Sequence, residues 1–152
     1  MVQRGGRRTQ RNGATLVESA FVISAFIMLL FGLYEYGRFL MLKNVIDQAA
    51  RTGARLAVVN TNTMSTIAIQ DAVDNALGGM GNQFVSYAKY TNITVNHYDS
   101  SGNNIGTDWY NARFGESVGV TITGSYTPFP SYMLPAATFT VSTTAVMNSE
   151  AN

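Results

Sequence analysis

The residues with the clearest chemical consequence lie near the start of the chain, in Gly13-Ala14-Thr15-Leu16-Val17-Glu18. A glycine ahead of an apolar run offers a protease unhindered, extended backbone, because no Cβ crowds the scissile bond. Glu18 follows Ala14 by four residues, inside the apolar stretch, where a carboxylate is costly unless a cation or water meets it. A plainer role for Glu18 is to complement the positive end of a helix, worth about 0.3–1 kcal/mol.

Elsewhere the sequence offers little to catalysis. His97 is the only histidine, shares the parity of Ile93 and Val95 in an alternating segment, and has no nucleophile placed to use it. It reads as a satisfied core or edge residue. Asp71, Asp74, Asp99, Asp108, Glu116 and Glu150 form no close recurring pair, so solvated surface charge is the expectation. Gly78-Gly79-Met80-Gly81 lacks the lysine and the strand-before, helix-after context of a phosphate loop. Asp99–Gly106 faintly resembles a calcium loop, but its glycine is misplaced and no bidentate glutamate follows. Asn92-Ile93-Thr94 fits a glycosylation acceptor, a pattern of low specificity. The chain has no cysteine, which excludes disulfides and thiolate metal sites. The expectation is therefore no enzyme, no cofactor and no metal.

The elements that must position Gly13, Ala14 and Glu18 are legible in composition. Residues 1–13 hold Arg4, Arg7, Arg8 and Arg11 with almost nothing apolar, a leader unable to bury a core. From Ala14 to Tyr34 the only charge is Glu18. Leu16 to Tyr34 as helix measures about 28 Å against about 30 Å of bilayer hydrocarbon, and it is apolar on every face. The arginines place the leader in the cytoplasm and the rest of the chain outside it. The apolar stretch exceeds a signal-peptide core and no small-x-small cleavage site follows it. Arg7-Arg8 lacks the apolar pair of a twin-arginine signal. An uncleaved anchor remains a second possibility. Tyr34, Tyr36 and Phe39 suit an interfacial belt where the helix leaves lipid.

Helical spacing continues beyond the span through Phe39, Leu42, Ile46, Ala49, Ala50, Gly53 and Ala57, with Lys43, Asp47, Arg51 and Arg55 in a solvated row opposite. No proline occurs between Ala14 and Pro128, so one helix from about Ala14 to about Val58 is predicted. A second amphipathic helix is predicted over Thr63–Leu77, with Ile67, Ala72, Val73, Ala76 and Leu77 as its apolar face and glycines as its stop. The period then changes to two. Val85 to His97 reads as one strand, Asp99–Gly106 as a hairpin loop, Val118-Val120-Ile122 as a second strand and Phe139–Met147 as a third. All three prolines lie in the connection between the last two.

Composition agrees with this partition. The 152 residues are 46% hydrophobic but only 12% charged, about half the charge of an ordinary globular chain. The net charge is +1, yet without the first 13 residues the balance is 6 basic against 9 acidic. The basic character is an N-terminal address, and no nucleic-acid footprint is expected.

Together these residues resemble a type IV prepilin, and more narrowly the TadE-like minor pseudopilins of tight-adherence pili. Gly13 followed by Glu18 after a basic leader resembles the site cut by prepilin peptidase. Gly13–Glu18 also resembles the start of type II secretion pseudopilins, with Ala14 where phenylalanine is usual, but the helix-bending proline common in those chains is missing. The exit Tyr34-Glu35-Tyr36-Gly37-Arg38, the run Asp47–Arg55 and the end Thr140–Glu150 resemble the TadE-like pattern. Ser19 departs from it, an aromatic being commoner there, and residues 60–130 carry none of it.

The resemblance implies an α+β chain: a leader over 1–13, a transmembrane segment over 14–36 and an extracytoplasmic pilin-like domain over 37–152. In that domain a short helix and an antiparallel sheet of about three strands pack on the stripe from Phe39 to Ala57. It implies a single-pass inner-membrane protein taking part in a pilus for adhesion or export. Its partners would be prepilin peptidase, other pilins, the inner-membrane assembly platform and the lipid bilayer. Gly13 and Ala14 would form the cleavage site, and Glu18 with Ala14 the subunit-assembly pair. The rival is an anchored extracytoplasmic binding domain that never polymerises.

Overall fold

The computed structural model describes residues 12–61, 63–79, 85–129 and 138–149. Helix α1 spans Asn12–Val59. Two compact units share the chain, one up to Gly37 and one from Arg38 onward. In the first unit, α1 exposes its apolar side chains on every face: Leu16, Phe21 and Met28 are each more than 70% exposed. Ser24 donates its hydroxyl to the Ala20 carbonyl at 2.8 Å, so its polar group is satisfied within the helix.

The second unit is an α+β domain. After α1 come α2 (Thr66–Leu77), β1 (Val85–Ser86), a single helical turn α3 (Lys89–Asn92), β2 (Ile93–Tyr98), β3 (Asn104–Gly106), a 3₁₀ turn (Trp109–Asn111), β4 (Ser117–Tyr126) and β5 (Phe139–Asn148). The sheet is antiparallel with β4 at its centre: β5 lies along one side, β1 and β2 follow each other along the other, and β3 flanks β2.

The strand count corrects the expectation of about three, for two local reasons. Val85 and Ile93 are eight positions apart, yet their partners Tyr126 and Ile122 are separated by only four. The surplus coils into α3, closed by Asn92, whose side chain accepts the Ala88 N–H at 2.8 Å. The predicted single strand is therefore split into β1 and β2. The predicted hairpin loop is also shorter than Asp99–Gly106, because its last residues, Asn104–Gly106, pair as β3. Asp99 accepts N–H bonds from Ser101 and Asn103 at 2.9 and 2.8 Å and folds the turn tightly. The proline-rich connection predicted between β4 and β5 lies mostly outside the described residues.

Helix α2 begins later than predicted and buries a different face. Ser65 caps it, accepting the Ala68 N–H at 3.3 Å, as serine does at helix starts. Ile69, Val73 and Leu77 are buried while Ile67 is 59% exposed. The i,i+4 row Ile69-Val73-Leu77 forms the buried face, and of the expected residues only Val73 and Leu77 belong to it. Gln70, beside that row, is buried because its amide donates to the Ile93 carbonyl at 2.7 Å, offsetting the cost of burying it. Gly78 ends α2 in the left-handed conformation at φ 59°, which glycine adopts without a Cβ penalty.

The core forms where α1, α2 and the inner face of the sheet meet. Leu42, Ile46, Ala49, Ala50, Ala54 and Ala57 of α1 are buried with Ile93, Val95, Val118, Val120 and Ile122. The sheet thus packs on the α1 stripe as predicted, and each fully buried large aliphatic side chain contributes roughly 1.5–3 kcal/mol. Phe39 meets Tyr126 edge to face at 5.7 Å. Gly53 sits at the closest approach: a Cβ there would overlap Val73 of α2 and touch both Val120 methyls at 3.4 Å. Gly53→Val should therefore destabilise the folded domain by about 1–3 kcal/mol through overpacking. Urea denaturation followed by circular dichroism measures it, with Gly37→Val, where a Cβ meets nothing within 4 Å, as the control.

Candidate functional site

Helix α1 begins at Asn12, so the Gly13–Ala14 bond lies in its first helical turn rather than in extended backbone. A peptidase must open that turn to reach the bond, and glycine is the residue that resists such opening least. Residues 13–18 are all exposed, with nothing within 4 Å of a Cβ built at Gly13. Glu18 stands one turn after Ala14 and makes no ion pair among the described residues. The structure brings the three candidate residues onto one exposed helical segment, with the apolar span directly following.

That span meets the physical requirements of a bilayer segment. Among the described residues α1 is the one helix long and apolar enough to cross a membrane, and its most apolar window is wholly unburied, with mean hydropathy 2.3. Backbone groups are satisfied within the helix itself, as hydrocarbon demands. Where the domain begins, Arg38 lies 6.0 Å from the Tyr126 ring centroid, a cation–π contact. With Phe39 on the same ring, it fastens the start of the domain's helix to the end of β4.

The residues considered for other chemistry have structural duties. His97 is buried at the inward parity expected, and its Nε2 is 2.9 Å from Glu116 Oε2. The same oxygen accepts the Arg113 N–H at 2.7 Å, and the Glu116 carbonyl accepts the Ser149 N–H at 2.7 Å. Glu116 is thus no free surface charge: it ties β2, the 113–116 turn and the end of β5 together. The Arg113 N–H, with His97 second, holds its carboxyl below the usual range. Asp99 is engaged in folding its own loop, and the Asn103 N–H foremost lowers its pKa.

A second polar cluster was invisible in the sequence. Lys89 on α3 lies 2.6 Å from Asp71 and 3.3 Å from Asp74, both on α2. Tyr87 donates its hydroxyl to Asp74. Burial, then the Asp74 carboxylate, pushes the Tyr87 phenol up, and Asp71 foremost raises Lys89. The spacing of Asp71 and Asp74 on one helical face was the available signal, but their cation arrives from another element. Trp109, fully buried, donates its indole N–H to Thr66 at 2.9 Å and pins the 3₁₀ turn to α2.

Among the described residues, an exposed apolar helical segment precedes a small α+β domain, an arrangement that fits a single-pass membrane anchor. Residues 13–55 match the family model of TadE-like proteins, consistent with a protein of Tad pilus systems, and the match begins at Gly13 itself. No curated protein and no solved structure matches the chain.

Because the folded Glu116 carboxyl is held low, it contributes stability above its unfolded pKa that disappears as pH falls through the folded value. Thermal unfolding between pH 7 and about pH 3 should show stability declining at the acid end. Glu116→Gln should lower the melting temperature at neutral pH and flatten that decline. Equal pH slopes in the two proteins would disprove the linkage.

Proposed function

We propose that this protein is a minor pilin of a tight-adherence pilus, processed by prepilin peptidase between Gly13 and Ala14. Residues 1–13 are the cytoplasmic leader, 14–36 the membrane segment and 37–152 the extracytoplasmic domain. The single observation that supports the reading best is that the TadE-like match over 13–55 starts one residue into α1, at the head of its exposed apolar segment, and includes Gly13, Ala14 and Glu18. The role is structural rather than enzymatic: the chain enters or primes a filament built with other pilins on an inner-membrane assembly platform.

The chemistry of assembly follows from Glu18. In the bilayer its carboxylate is near enough to the cytoplasmic face to reach water. In a filament core that water is lost, at a cost of several kcal/mol per ion unless a cation replaces it. The amine released on Ala14 is such a cation. Within one helix Ala14 and Glu18 are i,i+4 neighbours; between subunits the same offset is about 6 Å of rise. A neighbour shifted by about one turn then pairs its amine with this Glu18, and the pair sets the register.

Intact-mass measurement of membrane-extracted protein should give a chain beginning at Ala14. A chain that retains Arg4–Arg11, or one that starts beyond residue 30, contradicts the processing step and favours the non-polymerising anchored domain. Glu18→Gln should be cut normally and stay in the membrane, yet fail to enter or support the filament, because shape is kept while charge is lost. Wild-type assembly of that variant would reduce Glu18 to a helix-dipole residue. A reporter fused after Asn152 should be active only outside the cytoplasm.

A further inference from the structure

We propose that the edge of β5 left unpaired among the described residues is a docking site for an extended, carboxylate-bearing strand from another protein, which adds to the sheet beside α1. The two edges of this sheet are built differently. On one side β3 is three residues long, and β2 breaks register against it between His97 and Tyr98. Short strands and bulges are devices that keep an edge from recruiting another chain. On the other side β5 runs ten residues in unbroken register on β4 and pairs with nothing else among the described residues. Phe139–Asn148 contains no charge and no proline. An antiparallel strand turns alternate N–H and C=O pairs away from its partner, so β5 presents such a row outward with no charge, proline or bulge among its own residues.

The ground beside that edge is shaped and charged. Residues 143–147 of β5, with Asp47 and Arg51 of α1, line a cleft of about 390 Å³. Asp47 accepts the Thr143 hydroxyl at 2.6 Å and keeps its charge, one anion among the three cations of its helical row. Lys43, Arg51 and Arg55 are exposed along the same helical row, and no carboxylate pairs with them among the described residues. A strand added to β5 continues the alternation of the sheet, so every second side chain faces α1. A carboxylate at that parity meets Arg51. A second copy's β5 does not suit the position, since Phe139–Asn148 has no Asp or Glu to answer the basic row. The occupant is a strand of another chain, β-branched and otherwise neutral, with Asp or Glu at alternate positions. Main-chain hydrogen bonds would supply affinity, and the carboxylates specificity.

The test uses the purified full chain in detergent, isotopically labelled, and two synthetic peptides of about nine residues that alternate valine with glutamate or valine with lysine. The glutamate peptide should bind saturably, shift the amide signals of 139–148 rather than those of 104–106, and bind at least about tenfold tighter than the lysine peptide. Arg51→Glu, an exposed change that leaves the core intact, should reverse that preference. Four results would overturn the proposal: equal affinity for the two peptides, shifts centred on β3, β5 amides already protected by self-association, or the same shifts produced only by anionic lipid vesicles.

Discussion

Everything in the folded domain depends on how closely α1 can approach the sheet. A helix packs at the distance its bulkiest contact side chain allows. Along Ala49, Ala50, Gly53, Ala54 and Ala57 that side chain is a methyl or less, and all four alanines are fully buried. Gly53 lets Val73 of α2 and Val120 of β4 converge on one point of the helix. The larger residues, Ile46 and Leu42, lie about one and two turns before Ala49 and are buried as well.

The same helix follows two opposite patterns of exposure along its length. Up to Gly37 its apolar side chains are exposed on every side, the pattern that fits a membrane anchor. From Arg38 it becomes one-faced, with apolar and small residues inward and Lys43, Arg51 and Arg55 outward. The change occurs across Tyr34-Glu35-Tyr36-Gly37-Arg38, where aromatic and charged residues are at home. Glu18 is the exception in the apolar half. Its cost in hydrocarbon is what makes it informative, because an expensive residue needs a compensating partner or a reason to move.

Polar contacts in the domain join elements distant in sequence. Glu116 links β2 to the end of β5, Lys89 joins α3 to α2, Gln70 reaches the first carbonyl of β2, and Asp47 holds Thr143. None is the kind of constellation that performs catalysis; each secures a crossing. The outward face of the sheet is handled more cheaply, by hydroxyl pairs such as Thr121 with Thr144 and Thr123 with Ser142. These keep the face neutral and leave the charge on the helix.

The sequence by itself determined whatever depends on neighbours along the chain. The apolar span, the switch at Tyr34–Arg38, the buried stripe of α1, the glycine stop at Gly78 and the inward parity of Val118-Val120-Ile122 were all legible, since period and composition are local properties. So was the grouping of Gly13, Ala14 and Glu18, which lies within six consecutive residues. Tertiary structure alone decided the rest. The apolar row of α2 was Ile69-Val73-Leu77 rather than the one containing Ile67, because the helix rotates to cover the sheet, and only the sheet defines that direction. The strand read as continuous from Val85 to His97 was broken by α3, because β4 offers half as many partners as the chain has residues to place. Glu116, Asp71 and Asp74 read as solvent-facing charges because their partners, His97 and Lys89, come from other elements. Pairing across such distances is settled by geometry that no local window contains.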